Sequence, residues 1–114
     1  MIREIRFYEN HFIDFYISLD SSVQEKIEFV FKIIRTVDRI PEKFFKHIEG
    51  SDGLFEIRIK AGSGIYRVFC CFYKGRIVIL FNGFQKKSQK TPKKEIEKAA
   101  RLKQEYFIKK GGKS

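Results

Sequence analysis

Three strand-like segments follow one another in this chain: "LFEIRIKA" (54–61), "IYRVFCCFY" (65–73) and "RIVILFNGF" (76–84). Apolar residues dominate each, and only "GSG" and "KG" interrupt them. Strand-period runs separated by short glycine turns point to an antiparallel meander. With Gly62 and Ser63 as a two-residue turn, Ala61 faces Gly64, Lys60 faces Ile65 and Arg58 faces Arg67. With Lys74 and Gly75 as the next turn, Tyr73 faces Arg76 and Arg67 faces Asn82.

That register sorts the side chains. One face holds Phe55, Ile57, Ile59, Tyr66, Val68, Cys70, Phe72, Ile77, Ile79 and Phe81, and must be covered by core. The other holds Leu54, Phe69, Cys71, Val78 and Leu80 at one end. At its far end it holds Lys60, Arg58, Arg67, Asn82 and Phe84. Two arginines directly across a strand pair repel each other by up to about 1 kcal/mol. Glu56, two residues from Arg58 on the same face, neutralises part of this. An anion would offset the rest, and the arginine fork is well shaped for phosphate.

The N-terminal half supplies the cover. "IREIRFY" (2–8) alternates as a first strand. "NHFIDFYISL" (10–19) sets Phe12, Phe15, Tyr16 and Leu19 at helical spacing. A longer helix follows, capped by Asp20 or by Ser22 with Glu25 in capping-box spacing. Val23, Ile27, Val30, Phe31, Ile34 and Val37 form its apolar stripe, and Pro41 marks its end. Residues 41–53 read as a loop with a helical turn. Thr91-Pro92 is a good N-cap and N1 pair for a last helix, with Ile96, Ala99, Ala100, Leu102, Tyr106 and Phe107 on its apolar face. The expectation is one domain over 1–110, with 111–114 a frayed tail.

Charge narrows the partner. The formal net charge is +10. Residues 1–53 carry 8 Lys/Arg against 10 Asp/Glu, 54–84 carry 5 against 1, and 85–114 carry 11 against 3. The excess sits in the second half, which favours a polyanionic partner: nucleic acid, an anionic membrane or an acidic protein. Cys70 and Cys71 are adjacent in a strand, so they point to opposite faces and are not expected to pair. No CxxC suggests zinc, and free thiols fit a cytoplasmic location. No signal peptide or membrane-spanning run is evident. "FNGFQKKSQKTPKKEIEKAA" (81–100) places Lys86, Lys87 and Lys90 where the third strand ends, at the arginine end of the sheet. They read either as a solvated run or as the rim of a phosphate site floored by Arg58 and Arg67.

The ordered set of Glu56-Ile57-Arg58, Tyr66-Arg67, an apolar third strand, Phe84 to Pro92 as "F-x-K-K-x-x-x-K-x-P", then Glu95-Ile96 and Ala99, resembles the HigB-like branch of the RelE/ParE toxin superfamily, which includes phage-derived relatives. The resemblance implies a compact α/β (α+β) fold, with a twisted antiparallel sheet against an N-terminal helical hairpin and a C-terminal helix. It implies the toxin of a type II toxin–antitoxin pair, acting as a ribosome-dependent mRNA endonuclease with no cofactor or metal. The implied partners are a helix-turn-helix, HigA-like antitoxin, the ribosome and mRNA, with operator DNA reached only through the antitoxin and no membrane. The ParE branch instead poisons gyrase, so a non-catalytic gyrase inhibitor is one alternative and a plain nucleic-acid-binding module another.

Cleavage by the RNA's own 2′-hydroxyl needs a base, cations for the crowded transition state and an acid for the 5′ oxygen. Arg58 and Arg67 would bind and stabilise the phosphate. Lys86 and Lys87 would transfer protons or bind phosphate, since crowded cations favour the neutral amine. Lys60 and Lys90 would hold the RNA backbone. Phe84 would stack on a base or pack at the core's rim. Glu56 is either a base or a structural partner for arginine, and Tyr66 falls on the core face. His11 and His47 lie outside these motifs and read as packing or surface residues.

Overall fold

A computed structural model describes residues 2–111. The elements are β1 (Glu4–Phe7), α1 (His11–Ile17), α2 (Ser21–Thr36), β2 (Phe45–His47), β3 (Phe55–Ala61), β4 (Gly64–Tyr73), β5 (Ile77–Lys86) and α3 (Lys93–Lys109). They form a five-stranded sheet in the order β1-β5-β4-β3-β2. The meander is antiparallel throughout, but β1 lies parallel to β5 at the edge. The expected loop at 41–53 contains β2, three residues paired antiparallel to β3 through Phe45 and Ile57. Residues 112–114 of the expected tail lie outside the described residues.

The helices follow the expected stripes. Val23, Ile27, Val30, Phe31 and Ile34 of α2 are buried over one face of the sheet with Phe12 of α1. Val37, the last residue of the expected stripe, is the C-cap and is 37% exposed. Asp20 is the N-cap by its extended backbone, without a side-chain cap bond. The last helix starts one residue later than expected, with Pro92 at the cap position.

The first hairpin has the expected register, with Arg58 across from Arg67 and Ala61 across from Gly64. The second departs from it. Tyr73 pairs with Ile77, so the connection is three residues, 74–76. Lys74 and Gly75 both have positive φ there, at 55° and 79°. One added residue turns the first half of β5 over. Val78 and Leu80, expected on the outer face, join the core under α1 and α2. Ile77, Ile79 and Phe81, expected there, join Leu54, Phe69 and Cys71 under α3 on the opposite face.

A second shift then reverses the parity. Cys70 pairs with Leu80 but Val68 with Gly83, so Phe69 alone opposes both Phe81 and Asn82. This is a β-bulge, with one extra residue in β5. Beyond it Arg67 faces Phe84, not Asn82 as expected, and Ile65 faces Lys86. The bulge returns Phe84 and Lys86 to the face that carries Arg58 and Arg67. Gly83 is required at that point, because a Cβ there would run into the Phe15 ring of α1.

Candidate anion site beside the helical hairpin

Partners across a strand pair share a face, so Glu56, Arg58, Lys60, Ile65, Arg67, Phe84 and Lys86 lie together. Leu102 and Tyr106 of α3 pack on Phe69 and Cys71 further along this face, which leaves the arginine end to a separate cleft. Asn82 ties the start of α3 to the bulge. Its Nδ2 donates to the Glu95 carbonyl at 3.1 Å and to the Glu95 carboxylate at 2.9 Å.

Glu56 stands between the arginines. Its Oε2 lies 3.2 Å from Arg58 Nε and 3.7 Å from Arg67 Nε. The second separation is an ion pair too long for a hydrogen bond. Arg67 is 7% exposed. Its Nη1 donates to the Tyr66 carbonyl at 3.1 Å, while its buried Nε has no hydrogen-bond partner. Burial pushes the Arg67 pKa down, Glu56 opposes this, and Arg58 adds to it. Arginine stays protonated even so, because its ordinary value is far above neutral. The result is a buried, under-partnered cation facing a second cation across the strand pair. The Arg67 stem is packed against the sheet, with Phe84 as the cross-strand neighbour.

A cleft of about 570 Å³ opens at this end of the sheet, lined by Lys26, Lys43, Phe44, Arg58, Ile59, Lys60, Gly62, Ile65 and Arg67. It has five cationic lining residues and no carboxylate among them. Arg58 reaches over its edge, with Nη1 3.5 Å from the Glu42 carbonyl. Of the residues singled out from sequence, Arg58, Arg67 and Lys60 share this cleft, and Lys86 joins their face across Ile65. Lys87 and Lys90 follow in the exposed connection to α3, where Ser88 Oγ donates to the Lys90 carbonyl at 3.0 Å. Phe84 is buried, with its ring 5.3 Å from that of Phe69, so packing is the role its position shows.

His11 contacts Glu9 at 3.2 Å and stacks on Tyr8, and His47 meets Phe55 edge-on in β2. Neither lines the cleft. Lys26 and Lys43 do not stand out in the sequence, because they lie in the N-terminal half, where acidic residues outnumber basic ones. Among the described residues no three His, Cys, Asp or Glu side chains cluster as metal ligands would. No helix among them is long and apolar enough to cross a membrane.

A five-stranded sheet with a helical hairpin on one face, a C-terminal helix on the other and a cationic end defines a small toxin fold of the RelE type. The family described as "Phage derived protein Gp49-like" matches residues 14–104, and the chain belongs to that family, one of RelE/HigB-type toxins of toxin–antitoxin systems. The RelE chain in the archaeal RelE-RelB complex from Pyrococcus horikoshii OT3 has a similar fold. It matches with a TM-score of 0.52 and 20% identity over 73% of this chain and 93% of that one. No curated protein sequence matches the chain.

Proposed function

We propose that this toxin cuts mRNA on the ribosome, using the RNA's own 2′-hydroxyl as nucleophile, and that Arg58 and Arg67 hold the scissile phosphate. The observation that carries this is Arg67: a buried guanidinium whose Nε has no hydrogen-bond partner, across from Arg58 and opening on a cleft whose charged lining residues are all cations. Glu56 is one carboxylate set against two guanidiniums, so it offsets only part of their charge. An anion seated between the two forks would satisfy the free donor and relieve the repulsion.

The chemistry follows from the groups at hand. A base removes the 2′ proton, the 2′ oxygen attacks phosphorus, and the 5′ oxygen leaves with a proton. The products are a 2′,3′-cyclic phosphate and a 5′-hydroxyl. Arg58 and Arg67 stabilise the extra negative charge of the phosphorane-like transition state, where fixed donors act most strongly. Lys86, on their face, and Lys87, just past the end of β5, are the proton-transfer or phosphate-binding groups. Lys60 and Lys90 hold the backbone on either side. Glu56 serves better as the tether of both arginines than as the base, since its Oε2 is already within 3.7 Å of each. No step calls for a metal ion.

With no histidine at the cleft, the chain has little acid–base equipment of its own. That supports dependence on the ribosome to position the message. A helix-turn-helix antitoxin is the proposed partner; the RelE chain of similar fold was solved in complex with RelB. The test is expression in bacteria with transcriptome-wide mapping of RNA 5′ ends. Discrete cuts inside translated codons support the proposal. Intact RNA with gyrase-linked DNA breaks would instead make this a ParE-like inhibitor, and an absence of toxicity would leave a plain nucleic-acid-binding module.

A further inference from the structure

We infer that Phe29 and Phe44, with Lys26 and Lys43, form a ledge on which a base of the single-stranded RNA stacks beside the arginine site. The inference rests on the RNA reading above and adds a base-binding surface to it.

In α2 the run Phe29-Val30-Phe31 cannot point wholly inward, since successive helical residues diverge around the axis. Val30 and Phe31 are buried, while Phe29 is 50% exposed and belongs to neither core cluster. Its ring meets that of Phe44 edge-on, with centroids 6.2 Å apart and planes at 77°. Lys26 Nζ stands 5.0 Å from the Phe29 centroid, and Lys43 Nζ 5.0 Å from that of Phe44. Lys26, Lys43 and Phe44 line the same cleft as Arg58, Lys60 and Arg67. The cleft thus joins a phosphate-binding end to an aromatic end rimmed by two lysines.

That pairing fits a nucleotide chain. Proteins that grip single strands combine a cationic track with aromatic rings on which bases stack, and every base offers a π-face. An acidic peptide would match the charges but would leave the exposed half of the Phe29 ring in water. A strand with one phosphate on Arg58 and Arg67 can lay a neighbouring base on Phe29 or Phe44, with the next phosphates near Lys26 and Lys43. Stacking of this kind adds affinity with little base preference.

The test is titration of the full-length protein into short single-stranded RNAs with 2-aminopurine walked along the sequence, since stacking quenches that base. Phe29→Leu keeps apolar bulk at a half-exposed helical site. It should lose the quench and about 5- to 160-fold in affinity, the range for one stacked base. Its salt dependence should match that of the wild type. Lys26→Gln and Lys43→Gln should each flatten the salt slope by about one. Phe44→Leu is the second ring variant, read only with a melt that shows it folded. Wild-type affinity and quench in Phe29→Leu and folded Phe44→Leu would overturn the ledge. If Arg58→Gln still weakened binding in that case, the arginine site would stand without it. Wild-type protein that bound none of these RNAs would overturn the ledge and count against the RNA reading as well. Ring variants that kept RNA binding but weakened the antitoxin complex would assign the surface to a protein partner and overturn the ledge.

Discussion

Arg67→Met separates folding from function at the centre of the site. Methionine keeps most of the packed stem and removes the guanidinium. The removal relieves an unpartnered buried donor, which costs about 1–3 kcal/mol. It also ends the cross-strand repulsion with Arg58, up to about 1 kcal/mol. Against this stands one lost hydrogen bond to the Tyr66 carbonyl, a net contribution of about 1 kcal/mol. Glu56 loses its longer contact but keeps Arg58 at 3.2 Å. With the lost Glu56 ion pair also set against the gain, the balance lies within about 1 kcal/mol of zero, a shift in Tm of no more than about 4 °C for a domain of this size. Toxicity should vanish in the same protein. The assay is a circular-dichroism melt beside growth after induction, at matched expression. A melt lowered by several degrees would make the guanidinium a structural keystone. Retained toxicity would refute its role at the phosphate.

Three further outcomes follow from the same geometry. Replacing Lys86, Lys87 and Lys90 together with Gln should shift stability by no more than about 0.5 kcal/mol per site, as expected for surface positions. It should weaken ribosome or RNA association and flatten its salt dependence through lost counterion release; an unchanged melt with full toxicity would return these lysines to a solvated run. Asn82→Ala removes both bonds that tie β5 to Glu95, so it should cost about 1–3 kcal/mol and speed amide exchange in the first turns of α3. Exchange at wild-type rates would show that α3 is held by its apolar face alone. Burial raises the Cys70 pKa and pushes Cys71 up to about 12, so neither thiol should react with iodoacetamide at pH 8 until the protein is unfolded. Because these thiols hold their protons to higher pH when folded than when unfolded, their contribution is complete below about pH 9, the ordinary thiol range, and is lost as pH rises towards 12. A melt that stayed flat from pH 9 to 11 would contradict that linkage.

The arginine pair was legible because a two-residue turn with a glycine fixes its own register, and Arg58 faces Arg67 as that turn requires. The second hairpin was not, because "KG" serves a three-residue connection as readily as a two-residue one. That single residue exchanged Val78 and Leu80 with Ile77 and Ile79 between the two cores. The signal for the compensating bulge was present: Asn82-Gly83 inside an apolar strand is where an extra residue is accommodated. The burial of Arg67 depends on Phe84 and on the bulge together, so no local pattern could reveal it. Lys26, Lys43 and Phe44 come to the site from α2 and from the approach to β2, in the half of the chain where acidic residues outnumber basic ones. Only the fold brings them to Arg58. Phe29 was a visible clue, since with Ile33 it falls outside the apolar stripe of α2, and it is the half-exposed one.

The central claim is that Arg58 and Arg67 seat the phosphate at which the message is cut. It is tested most directly by primer extension on a defined mRNA in a reconstituted translation system, with wild-type protein, Arg58→Gln and Arg67→Met. Wild-type protein should make discrete cuts within translated codons, with 5′-hydroxyl ends and none on untranslated copies of the same RNA. Neither variant should produce them, although both should remain folded. Cleavage by both variants at the wild-type rate and positions would exclude both guanidiniums from the cleavage step.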